Sequence, residues 1–112
     1  MRRDRRPRGD GGEPTDERLD DLLAALASAL RATEELPVSP SASVWLGEAH
    51  AVAEDLARGD ADRSVVRERV GHVHRLLTNA DDLDNDEAAA RVSEALDLAE
   101  SIVDRTRDAA DP

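Results

Sequence analysis

The chain has 112 residues and a formal net charge of −11, with a single Trp and no Cys, Lys, Phe or Tyr. One domain is the ceiling at this length. Without Cys there is no disulfide scaffold, no Cys-ligated zinc and no cysteine nucleophile, and without Lys there is no Schiff-base or P-loop lysine.

Residues 1–14, MRRDRRPRGDGGEP, differ in kind from the rest. The first eight carry five Arg and one Asp, a charge of +4, while the remainder carries ten Arg against 25 acids, a charge of −15. Pro7, Pro14, three Gly and nothing apolar after Met1 predict a disordered arm. Arg2, Arg3, Arg5, Arg6 and Arg8 are the only route to nucleic acid that the sequence offers. The preferred reading is a solvated arm that folds back on an acidic body, or a stretch upstream of the true start. The two Arg pairs lack the apolar segment that a twin-arginine signal needs behind them.

An acidic helical domain is expected over 15–109. Its first helix begins after Pro14, with Thr15 as N-cap and Asp16 and Glu17 in the first turn, where the helix dipole favours acids. Leu19, Leu22, Leu23, Leu26 and Leu30 recur at helical spacing, and Leu36-Pro37 ends the run. Its apolar stretch, Leu22 to Leu30, is far shorter than the roughly 20 residues that cross a bilayer, so no membrane contact is expected and the cytoplasm is the default compartment.

LPVSPSA at 36–42 reads as a linker. Ser41 or Ser43 is the expected cap of the second helix, and Trp45, Ala49, Val52, Ala53 and Leu56 its core stripe. Gly59 is placed to terminate it, and the short connection predicts an antiparallel hairpin with the third helix. Asp62 or Asp60 caps that helix, whose stripe is Val66, Val70, Val73 and Leu77. DDLDND at 81–86 breaks the pattern. Asp84 followed by Glu87 reads as an Asp version of a capping box. The fourth helix carries Ala88, Val92, Ala95, Leu96, Ala99, Ile102 and Val103. No segment alternates with period two. The expectation is an all-α, four-helix up-down bundle with outer helices longer than the middle pair, or a three-helix core whose first helix docks on a partner.

The bulk of that core is small. Leu, Ile and Val total 23 and Ala 19, so each buried residue contributes little area, and a thin core is a motive for dimerisation. The acids, 16 Asp and 10 Glu, are spread over every helix, and every base is Arg. Such a surface repels nucleic acid and anionic lipid. It suits a salt-accumulating cytoplasm, since near 1 M salt the screening length falls to about 3 Å. An acidic protein of a GC-rich mesophile is the competing source.

Chemistry-bearing groups are few. His50 and Glu54, four apart, could share a ligand with His74 on the third helix, giving a three-ligand metal site with an open position. The preferred reading is boundary histidines hydrogen-bonded to acids. Asp82, Asp84 and Asp86 alternate as in a calcium loop but lack its central Gly and closing Glu. No serine elbow and no phosphate cradle occurs, so an enzyme is the less favoured class and no cofactor is expected. Trp45 reads as core, with an interface anchor as its functional alternative. Gly47 and Gly71 each cost a helix about 1 kcal/mol relative to Ala. Either they mark close approach of another helix or backbone, which would make the outer side of the second and third helices a partner surface, or they are neutral.

ELPVSPSASVWLGEAHAVAEDLARGD at 35–60, followed by VVRERVGHVHRLL at 65–77, resembles small haloarchaeal proteins of a domain-of-unknown-function type. The likeness lies in the ELPV linker, the WLGEA helix start and the GD turn. It implies a halophilic source and adds nothing on function. The reading reached from sequence is a non-enzymatic helical interaction or regulatory module that binds a protein partner or itself. Trp45, Gly47 and Gly71 are its candidate interface. The alternatives are a metal protein on His50, Glu54 and His74, or a nucleic-acid regulator using the Arg arm.

Overall fold

The computed structural model describes residues 17–80, 83 and 85–110, with side chains described as far as Arg107. These residues form four helices, α1 (Glu17–Thr33), α2 (Pro40–Ala57), α3 (Arg63–Asn79) and α4 (Asp86–Ala110). The Arg-rich arm, Thr15, Asp82 and Asp84 lie outside the described residues. Each helix packs on two neighbours: α1 on α2 and α4, and α3 on α2 and α4. Among the described residues the backbones of the diagonal pairs do not come as close, so the helices are arranged as a ring. The first helix is therefore an integral wall of the bundle, not an arm awaiting a partner.

Ion pairs fix the directions. Glu34 meets His50 and Arg31 meets Glu54, so a step back along α1 matches a step forward along α2. Arg63 meets the Arg105 carbonyl and His74 meets Glu100, which makes α3 and α4 antiparallel in the same way. The tight turn at Gly59 (φ 85°) reverses α2 into α3, as expected of a residue without Cβ in the left-handed region. The result is an up-down-up-down bundle.

The stripes read from sequence line the core in α1, α3 and α4. Leu26, Leu30, Val70, Val73 and Ile102 are buried completely. Two polar residues join them without penalty. The Thr33 hydroxyl donates to the Leu30 carbonyl at 2.6 Å, and the Thr106 hydroxyl donates to the Ile102 carbonyl at 2.9 Å. The lengths differ from expectation: α1, α2 and α3 have 17, 18 and 17 described residues, and only α4, with 25, is long.

Helix α2 departs most from its sequence reading. Its cap is Ser39, two residues earlier than expected, with Pro40 in the first helical position. Ser39 Oγ accepts from the Ala42 amide at 3.2 Å, and proline suits the first turn because its missing N–H has no partner there anyway. The stripe is also rotated. Ala42, Leu46, Ala49, Ala53 and Leu56 are buried, whereas Trp45 and Val52 are half-buried on its flank. At α4 the Asn85 side-chain oxygen accepts from the Ala88 amide at 2.8 Å, as a cap does, and the expected cap, Asp84, is outside the described residues. At α3 the backbone places Asp62 at the cap position, but its carboxylate makes no capping hydrogen bond.

The linker at 34–39 is a structural element of its own. In a tight hairpin the end of α1 would meet the start of α2, yet Glu34 lies against His50. Ten residues of helix, about 15 Å, therefore project past that meeting point. Six linker residues, able to span about 20 Å when extended, cover the distance. Leu36 and Val38 turn inward along the way and pack on the core.

Candidate interaction surface

The α1–α2 seam holds the main polar cluster. The Glu34 carboxylate accepts from His50 Nδ1–H at 2.8 Å. Arg31 donates to Glu54 at 2.8 Å. His50 is 12% exposed, and its Nε2 is buried, 3.5 Å from Glu54 and without a hydrogen-bond partner. With Nδ1 as the donor, a neutral ring presents Nε2 as an acceptor toward a carboxylate, and only protonation would let it donate to Glu54. The Glu54 carboxyl is held below its ordinary value of 4.5, chiefly by the Arg31 hydrogen bond and then by the charge of His50.

This cluster is not the ligand set read from sequence. His50 and Glu54 do share a face, but His74 turns to α4 and meets Glu100 at 3.2 Å. Among the described residues no group of three His, Asp or Glu side chains is placed to hold a metal ion. Glu34 and Glu100 are the partners that sequence spacing missed. Glu34 follows the end of α1 and Glu100 lies on α4, and only the bundle register brings them in.

The interface candidates are likewise separated. Trp45 and Gly47 are two residues apart, about 200° around a helix. Trp45 lies partly against the core, and Gly47 sits on the outer flank, three residues before His50. Gly71 stands three residues before His74, on the side of α3 that faces α4. A Cβ on Gly47 would meet nothing within 4 Å, and one on Gly71 only the tip of Arg75 at 3.9 Å. Neither glycine is required by a neighbour within the described chain.

What does converge is the outer stripe of α2. Pro40, Val44, Gly47 and Ala51 recur at helical spacing on the side away from the core. Val44 is 65% exposed and is the one large hydrophobic side chain left open among the described residues. The segment 40–53 holds a single charged residue, Glu48, in a chain that is 37% charged. Of the four helices, α2 is the most apolar and the least divided into an apolar and a polar side. Below this stripe an open groove of about 520 Å³ separates α1 from α2, floored by Ala24, Ala27 and Ala57 and edged by Arg31, Glu54 and Arg58.

These features define the class: an all-α four-helix bundle with an uncovered, charge-poor helix face. No described helix is long and apolar enough to cross a membrane. The chain belongs to the family described as Domain of unknown function (DUF8152), whose pattern matches residues 22–109 and so takes in all four helices. No curated protein and no solved structure matches it.

Proposed function

We propose that this chain is a non-enzymatic helical interaction or regulatory module of a halophilic archaeon, acting by burial of the outer α2 face against a protein partner. The observation that carries the reading is Val44, exposed within the stretch 40–53 of α2, where Glu48 is the single charged residue. Interface centres are depleted of charge and enriched in apolar anchors, which is the character of this stripe. The acidic surface around it would set partner choice and approach rate, not contribute most of the affinity. The Arg-only, Asp-rich composition supports the halophilic source, because a charge of this density is tolerable where salt screens it.

The test is capture from a halophilic lysate held at high salt, with the tagged chain as bait and Val44→Asp as its control. The reading expects a stoichiometric protein, either another chain or the untagged chain itself, retained by the native bait and lost with the variant. Equal recovery by both baits sinks it.

A further inference from the structure

We propose that the side of α3 carrying Ser64, Arg67, Gly71, Arg75 and Thr78 is a second interaction surface, which receives paired carboxylates from an acidic segment of a partner protein. Among the described helices, α3 alone is basic. It carries four arginines against the single acid Glu68, whereas acids outnumber bases on α1, α2 and α4. The five residues follow one another at intervals of three and four, so they share one side of the helix, away from the buried Val66, Val70 and Val73. Ser64, Arg75 and Thr78 are exposed, and Arg67 and Gly71 are half-buried. Ion pairing singles out two of them. Arg63 donates to the Arg105 carbonyl, and Arg69 lies 3.9 Å from Asp55. Arg67 and Arg75 meet no carboxylate among the described residues, in a chain of 26 acids and 15 bases. A guanidinium left unpaired in that company is open to a carboxylate from outside.

Gly71 sets the geometry between them. Arg67 and Arg75 stand two turns apart, about 12 Å along the axis. Arg75 leans back over Gly71, its terminal nitrogen 3.9 Å from where a Cβ would sit. A larger side chain at 71 would displace that guanidinium and fill the space between the two arginines. Each guanidinium offers a planar fork that fits a carboxylate. Two carboxylates two turns apart on a partner helix match the spacing. The acids beside the stripe then decide the class of partner. Glu68 follows Arg67 on α3, and Glu100 stands on α4 against His74. A nucleic acid is charged at every nucleotide and would set phosphates against both. A protein can place a carboxylate at each arginine and neutral groups elsewhere, as complementary interfaces do.

NMR titration of the full chain tests this, at the lowest KCl concentration that gives the complete helical signal. Three probes are compared: an otherwise neutral helical peptide with two Glu spaced as Arg67 and Arg75 are, the same composition with the two Glu adjacent, and a single-stranded DNA oligonucleotide. The spaced peptide should shift the Nε–Hε signals of Arg67 and Arg75 and bind more tightly than either of the others. Arg67→Gln combined with Arg75→Gln should weaken it by about tenfold. Gly71→Leu should weaken it too, with a thermal melt no lower than native, since leucine favours a helix more than glycine does. Val44→Asp should leave it unchanged, because the outer α2 face is a separate surface. Silence of the two arginine signals overturns the inference, as does equal affinity for the two peptides or indifference to the double Gln variant. Tighter binding of the oligonucleotide, or a loss of peptide with Val44→Asp, overturns it as well.

Discussion

At the scale of single residues, the α1–α2 seam shows how exposed charges can still report on the fold. Glu54 titrates below its ordinary 4.5 because Arg31 and His50 favour its ionised form. A carboxyl depressed in the folded state adds stability above its unfolded value, and that increment is lost as pH falls through the folded value. Arg31→Ala should therefore lower the urea midpoint at pH 6 and lose that difference as pH drops well below 4.5. The effect will be small, since both side chains face solvent. A constant difference across that range would refute the assignment. At this scale the sequence announces that His50 and Glu54 share a face, because spacing of four guarantees it. It does not announce Glu34 or Glu100, because no local rule encodes the register between helices.

Helices are legible in proportion to how unequal their two sides are. α1 and α3 set Leu or Val against charged residues, and their core stripes follow directly from the spacing. Over 40–53, α2 has apolar residues on both its inner and its outer side. Trp45, the largest of them, draws the core assignment although Leu46 is the residue buried. That ambiguity is itself the physical signature of a helix with two apolar sides. The cap is obscured for a related reason: three serines and two prolines crowd 37–43, and only the path of the linker selects Ser39. Ser39→Ala should cost about 1 kcal/mol, lowering the thermal midpoint by roughly 4–8 °C for a domain of this size. Ser41→Ala and Ser43→Ala should change it little. Thermal melts of the three variants at one fixed salt concentration decide this, and an equal loss in all three would remove Ser39 from its role.

For the whole molecule, the balance is between a core rich in alanine and a surface rich in acid. Ala42, Ala49 and Ala53 on α2, and Ala88, Ala95 and Ala99 on α4, bring helices close but bury little area each. Repulsion among 26 acids, offset by 15 Arg, opposes that modest gain. On the proposed halophilic reading, the melting temperature should climb between dilute buffer and about 2–3 M KCl, most steeply below about 1 M, where the screening length shrinks toward 3 Å. A flat response in helical circular dichroism would count against it. The bundle itself is legible from four capped, periodic segments. Which helix sits beside which is not, since several rings satisfy the same stripes.

The ring order carries a mechanical consequence. α1 and α4 are neighbours that run in opposite directions, so the start of α1 and the end of α4 emerge at one end of the bundle. A pull applied between those two points would load the α1–α4 seam across its width and open it one turn at a time, as a zipper opens. It would not drag one helix lengthwise past the other, which would strain every contact at once. Under such a load the far end of the α1–α4 seam would be the last part to separate.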